Sequence, residues 1–456
     1  MSRSRTFASN REPFRENDFL QPHRSRITGP RKNMTEQIRY GTNNPTVSFL
    51  NPTKAQFHHS GLQNKAASNN ANGSSSTTAS DEEKAYPSKD ETATDHVSFL
   101  WRSRDNRKGR HTMAIGKPQS EEEDRYIVPA RTTEARQIAK GILRMFTIFP
   151  YWDVSWWVAV IFTLGSVVWV MNGFFVWLPV VAPSTEFSTE IFYGGGVTAF
   201  IGAIVFFETG SILLIFEAVN ENSSGCFGWA LEQLAAGEHA DGKPGKIRIT
   251  AEKYACHHHH QNRKNFVGRA SANTHPEAKP ANEATKDGKT WQWYPSWHSL
   301  RTHYFHELGF LAGCAQLFGA TIFGISGFTA LPGIQPIMPQ AVLNGVYWVP
   351  QIVGGTGFIV SGTLYMLETQ RNWYTPALGV LGWHIGFWNW IGAWGFTLSG
   401  ALGPAYGSSG AQYQAGCATF WGSWAFLIGS CLQWYESLDK YPVVDDRGKD
   451  SIFRPG

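Results

Sequence analysis

Residues 377–437 read ALGVLGWHIGFWNWIGAWGFTLSGAL, then GPAYGSSGAQY, then QAGCATFWGSWAFLIGSCLQWYES, and this stretch decides the fold. Two apolar, glycine-dotted runs flank the uncharged loop Gly403–Tyr413. Each run has the roughly 20 residues that a helix needs to cross a bilayer. The unit predicts a membrane hairpin.

Working outward, the same test predicts six spans: Val154–Val180, Phe192–Val219, Glu307–Leu331, Leu343–Leu367, Ala377–Leu402 and Gln414–Tyr435. They pair into three hairpins with shared spacings. In the odd spans two glycines lie eight apart: Gly165 and Gly173, Gly319 and Gly327, Gly392 and Gly400. In the even spans a pair of small residues precedes an acid: Gly210-Ser211 to Glu217, Ser361-Gly362 to Glu368, Gly429-Ser430 to Glu436. Membrane helices associate by close packing rather than by hydrophobic burial, so small residues on one face mark contact surfaces. Gly309-x3-Gly313 and Gly382-x3-Gly386 add GxxxG patches. The expected fold class is therefore an all-α membrane protein of six transmembrane helices, built as three hairpin repeats about a pseudo-threefold axis. The acids at the even helix ends oppose the helix dipole. They read as solvated ends marking the water boundary, with pairing to interfacial Arg or Lys as the alternative.

Composition agrees with lipid packing. The chain of 456 residues contains 19 Trp and 30 Phe, and its mean hydropathy of −0.27 averages a polar first third with an apolar remainder. The loops at 181–191, 332–342 and 403–413 lack Lys and Arg, whereas the other segments between and beyond the spans hold every basic residue. The positive-inside rule then makes both termini cytosolic. The sequons at Asn33, Asn72 and Asn222 fall on the cytosolic side. The basic start lacks the short apolar core of a signal peptide. The membrane expected is the plasma membrane, the endoplasmic reticulum or the vacuole.

The domains expected are a disordered cytosolic region (1–130), an interfacial helix (131–150), hairpin repeat 1 (151–219), a cytosolic loop (220–300), hairpin repeat 2 (301–369), hairpin repeat 3 (370–437) and a cytosolic tail (438–456). The first of these includes the low-complexity run Ser68–Ser80 and few aliphatic residues, too little apolar surface to offset its ordering entropy. In the second, Ile138, Ile142, Met145 and Phe149 form an apolar stripe beside Arg136, Lys140 and Arg144. That pattern suits a helix lying against anionic headgroups; packing on the protein's own cytosolic loop is the alternative. The partners expected are the lipid bilayer and cytosolic proteins reached through the N-terminal region and the 220–300 loop. Acids interleaved with the N-terminal basic residues argue against nucleic acid.

The sixth span, Phe420–Ser430 (FWGSWAFLIGS), resembles the second helix of the small bacterial YrhK-like membrane domain. The region from about 150 to 444 resembles uncharacterised fungal integral membrane proteins that carry such a domain. The resemblance implies no catalytic residues. The Pro-x-acid-x-x-base signature of mitochondrial carriers is absent, which excludes that family despite its three two-helix repeats.

Few residues carry chemistry. Glu208 lies near the middle of the second span, where an unpaired carboxylate costs at least roughly 2.5 kcal/mol. His384, Asn389, Gln316 and Gln351 are the polar groups within spans that could partner it. A Glu208/His384 pair would suit a proton relay in a transporter or channel; an interhelical hydrogen bond is the structural alternative. His257, His258, His259 and His260 are weak metal candidates, since consecutive histidines cannot all reach one ion. His298, His303 and His306 read as part of an inner aromatic belt with Trp291, Trp293, Tyr294 and Trp297. No hydrolase or nucleotide motif occurs. The expectation is a non-enzymatic structural or adaptor protein without cofactors, with a small-solute or proton transporter as the alternative.

Overall fold

A computed structural model describes residues 20–22, 50–51, 53–59, 97–116, 126–220, 229–233, 247–251, 291–370 and 372–445. The low-complexity run Ser68–Ser80 and the tetrad His257–His260 lie outside the described residues.

The protein is mostly helical. Four helices are long and apolar enough to cross a membrane: α3 (Val154–Val181), α4 (Glu190–Val219), α6 (Leu308–Thr329) and α9 (Ser409–Leu438). Two helices of comparable length and lower hydropathy, α7 (Val349–Thr369) and α8 (Leu381–Leu402), pack among them. Each helix touches the next, and α9 returns to α3, so the six form a closed ring. The outward faces carry Leu164, Met171, Val205, Phe318, Val360 and Ile428, all exposed apolar side chains. Such a surface suits lipid rather than water.

Small residues set the helix spacing. A methyl group added at Gly165, Gly173, Gly210, Gly319, Gly327, Gly362, Gly392, Gly400 or Gly429 would come within 3.1 Å of an atom on another helix. At several crossings the backbones themselves meet, as at Gly319 against the Gly354 carbonyl, Gly362 against the Gly386 carbonyl and Gly392 against the Gly422 carbonyl. Within α4 the helix widens into π turns at Glu190–Gly195 and Ile201–Glu208.

Outside the ring, the described stretches of residues 1–130 depart from the expectation of disorder. Strands β1 (Leu20–Pro22), β2 (Lys54–His59), β3 (Val97–Arg102) and β4 (Thr112–Ile115) form a sheet with β8 (Val443–Asp445) of the tail. The β4–β8 pair is parallel, joining residues more than three hundred positions apart. A second sheet contains β5 (Tyr126–Ile127), β7 (Ile247–Ala251) and β6 (Trp229–Gln233), the last two from the long loop. Val97, Phe99, Trp101, Met113 and Ile115 bury against Trp229, Ile249 and Val443. Each segment alone lacks apolar surface to fold; three segments together supply one core.

The amphipathic helix α2 (Ala135–Thr147) runs beside the end of α9. Gly141 seats under the Tyr435 ring and Met145 is buried, while Ile138, Ile142, Leu143, Phe146 and Phe149 stay exposed. Of the expected stripe, Met145 therefore faces protein, while Ile138 and Ile142 stay exposed and the exposed Phe149 meets only the Trp156 ring among described aromatic groups. The aromatic belt also changes. Trp293, Tyr294 and Trp297, the last opening the short helix α5 (Trp297–Thr302), are exposed, whereas His303 is fully buried beside Tyr304.

Candidate functional site

The site starts from a tight turn. Strand β3 ends at Arg102, the chain makes one helical turn, α1 (Ser103–Arg107), and then reverses into β4. The reversal uses Gly109 at φ +62°, a left-handed conformation that suits glycine. Asp105 ties the turn by accepting from Thr112 Oγ1 at 2.8 Å and Arg110 Nη1 at 2.7 Å. The turn thus projects Ser103, Arg104, Arg107 and Lys108 together into the ring.

Three acids receive them. Arg104 donates through Nε and Nη2 to both oxygens of Glu436, at 3.0 and 2.7 Å. Arg107 donates through both terminal nitrogens to Glu368, at 2.7 and 2.8 Å, and Ser103 Oγ adds a bond to Glu368 Oε1 at 2.8 Å. Lys108 Nζ lies 3.1 Å from Glu217 Oε1, and Arg110 Nη1 3.2 Å from Glu436 Oε1. The two-pronged arginine geometry is the strongest arrangement available to such a pair. Both guanidinium groups also lie over the Tyr365 ring, 5.9 and 5.8 Å from its centre. Glu217, Glu368 and Glu436 are at most 2% exposed, so they are not solvated helix ends. They are the alternative, paired to basic residues, and those residues come from the N-terminal arm.

The puzzle of acids at helix C-termini resolves here. α4, α7 and α9 end around one cluster of cations, which offsets three carboxylates and three negative dipole ends together. Burial alone would lower the pKa of the Arg107 guanidinium, yet the Glu368 carboxylate beside it drives it well above the ordinary value. Arg104 is raised in the same way by Glu436 against burial. For Lys108 burial prevails over Glu217, and its pKa falls below the ordinary value. Gly309 and Gly382 clear the way for the arginines: a methyl group at Gly309 would strike Arg107, and one at Gly382 would come within 2.5 Å of Arg104 Nε. These two GxxxG positions therefore admit side chains of α1 rather than a neighbouring helix.

Behind the charges lies a small cavity with about 40 Å³ of space for water centres. Gln316, Ser361, Asn389 and Gln433 line it with Arg107 and Glu217. Beyond it the ring is filled by aromatic groups, one from each helix: Trp169, Phe207, Phe323, Phe358, Phe396 and Phe426. Trp169 and Phe396 centres are 4.7 Å apart, Phe396 and Phe426 5.2 Å, and Phe207 and Phe426 5.5 Å. Each of the six is at most 4% exposed.

The candidate polar residues separate. Thr321 Oγ1 donates to Glu208 Oε1 at 2.9 Å, at the seam between α4 and α6. The His384 ring nitrogen lies 2.8 Å from the Leu378 carbonyl, in the first turn of α8. The expected pair is thus not the one formed. Gln351 makes a long 3.5 Å contact with the Phe396 carbonyl. Gln316 and Asn389 line the cavity, whereas Glu208, His384 and Gln351 do not. The inward residue of α4 that meets Phe358 and Phe426 is Phe207; Glu208, one position on, turns away toward Thr321. Sequence reasoning missed Ser103, Arg104, Arg107, Lys108 and Tyr365. The three acids placed against the dipole were the available signal that a cation had to be found.

Comparison with known proteins finds no matching family model, no matching curated protein and no matching solved structure.

Proposed function

We propose that the protein is a non-enzymatic membrane scaffold or adaptor. In this reading six spans form three hairpin repeats about a pseudo-threefold axis, with both termini in the cytosol and the hairpin unit akin to the YrhK-like domain. The scaffold holds a cytosolic platform built from the N-terminal arm, the 220–300 loop and the tail, which together present a surface to protein partners. The observation that carries this is the convergence of Glu217, Glu368 and Glu436 on the single turn Ser103–Lys108. It ties the platform to all three hairpins at once. Two patterns support the repeat. Phe207, Phe358 and Phe426 each stand ten positions before an acid of the triad, and Trp169, Phe323 and Phe396 each stand four after a glycine of the odd helices. The aromatic layer, filling the ring centre, favours scaffold over conduit. The basic residues collected at the platform end support its cytosolic placement.

Reconstitution separates the scaffold from the transporter. Full-length protein in liposomes is expected to show no pH-gradient-driven flux, and Glu208→Gln to behave as wild type. Flux in the wild type that Glu208→Gln abolishes, with folding intact, overturns the reading.

A further inference from the structure

The cavity behind α1 has polar walls that the protein itself leaves incomplete. Arg107 Nε, Glu217 Oε2 and Ser361 Oγ are buried without a hydrogen bond of good geometry among the described residues, the Ser155 hydroxyl lying near the Glu217 carboxylate without closing one, and all three residues line it. Each parent residue is at most 5% exposed. Buried donors and acceptors of this kind are almost always satisfied, by protein or by ordered water. Their parent residues lie on α1, α4 and α7 and all line one cavity, so one occupant can serve them all.

Charge selects the occupant. A bare cation would meet Glu217 but also the Arg107 guanidinium and the Lys108 ammonium. An anion would meet those cations but also the Glu217 carboxylate. A neutral molecule that both donates and accepts suits Arg107 Nε–H, the Glu217 carboxylate and the Ser361 hydroxyl equally. The 40 Å³ of space for water centres admits about three waters, at roughly 10–15 Å³ each. On one side Phe207 and Phe426 of the aromatic layer border the cavity; on the other, Arg104, Arg107 and Lys108 do.

We propose that this cavity is a hydrated vestibule: a cluster of about three ordered waters held by Arg107 Nε, Glu217 Oε2 and Ser361 Oγ, with the α1 turn as its gate among the described residues. The waters complete the hydrogen bonding of the charge cluster, and the aromatic layer stops them from continuing across the ring. This goes beyond the scaffold reading and does not depend on it, because a transporter would contain the same vestibule.

Two measurements test it. An experimental density map of the full-length protein, at a resolution that shows ordered water, is expected to contain water peaks within hydrogen-bond distance of the three orphaned atoms. A dry cavity, or anomalous signal from rubidium or bromide in it, overturns the proposal. The gate is tested with Ser361→Cys in a chain whose five native cysteines are replaced by alanine, using a small cationic thiol reagent on proteoliposomes. Labelling is expected to be slow with α1 intact. Adding Arg107→Ala with Glu368→Gln, which removes both members of a pair and leaves no buried charge unpaired, is expected to speed labelling at least ~10-fold from the platform side. Equal rates in the two backgrounds, or access from the opposite side, overturn the gate. Should that double variant fail to fold, Lys108→Ala with Glu217→Gln opens the same wall and is read in the same way.

Discussion

The interior of the ring is filled in two opposite ways at two levels. At mid-height six aromatic side chains, one from each helix of the ring, meet in a packed layer. Toward the platform the same helices present three carboxylates, and the gap is filled by cations borrowed from a distant part of the chain. The difference lies in where each level finds its partners. The aromatic layer is complete within the ring, because non-directional packing needs only volume and apolar surface. The ionic level is incomplete without residues 103–108, because a buried carboxylate needs an opposite charge at hydrogen-bonding distance.

The largest effects come from removing one member at each level. Glu368→Ala leaves the Arg107 guanidinium buried without its two-pronged acceptor, and is expected to cost about 3–5 kcal/mol of stability. Phe396→Ala, at the centre of the aromatic layer, is expected to cost a similar 3–5 kcal/mol through the cavity it leaves. Thermal unfolding in detergent reads both. The levels separate on rescue: Glu368→Met with Arg107→Met is expected to recover most of the loss, since an ion pair can be replaced by apolar groups of similar volume. Failure of that rescue would show that the level depends on charge itself.

A smaller effect sharpens the role of the glycines. Gly309→Ala drives a methyl group into Arg107 and is expected to destabilise by about 1–3 kcal/mol, the usual cost of overpacking. Added to Arg107→Ala, whose own cost is that of the unpaired Glu368 carboxylate, the same substitution is expected to lower stability almost no further. An undiminished penalty in the pair would mean that Gly309 serves helix contact instead.

The smallest effect is a pH slope that the aromatic level cannot produce. Lys108 faces Glu217 and Glu436 with Arg104 and Arg107 nearby, and burial lowers its pKa. Between that lowered value and the ordinary 10.5 the unfolded chain binds more protons than the folded one, so this group makes stability rise with pH across that window. Lys108→Met is expected to flatten the rise in melting curves taken at successive pH values. An unchanged slope would assign the pH dependence elsewhere.

Much of this was legible in the chain, and the gaps have a common cause. The long apolar runs and the nine spaced glycines announce helices and their contact faces, because both follow from local length and side-chain size. Val97, Phe99 and Trp101 occupy alternate positions with Leu100 between them, yet so short an apolar run in a polar region cannot declare a core whose other half is Trp229, Ile249 and Val443. Glu208 drew attention by its position in an apolar run. The helical rotation that points Phe207 inward and Glu208 toward Thr321 is a property of the packed bundle.

The sequence by itself determined which segments are long and apolar helices, where small residues let them approach, and that three acids stand at helix ends where the dipole opposes them. These depend on spacing along the chain and on the solvent each segment can tolerate. Tertiary structure alone decided that the acids are buried, that Arg104, Arg107 and Lys108 are their partners, and that the strands of arm, loop and tail share one core. A charge pair more than two hundred positions apart leaves no local pattern; only folding brings its members to the distance at which the interaction exists.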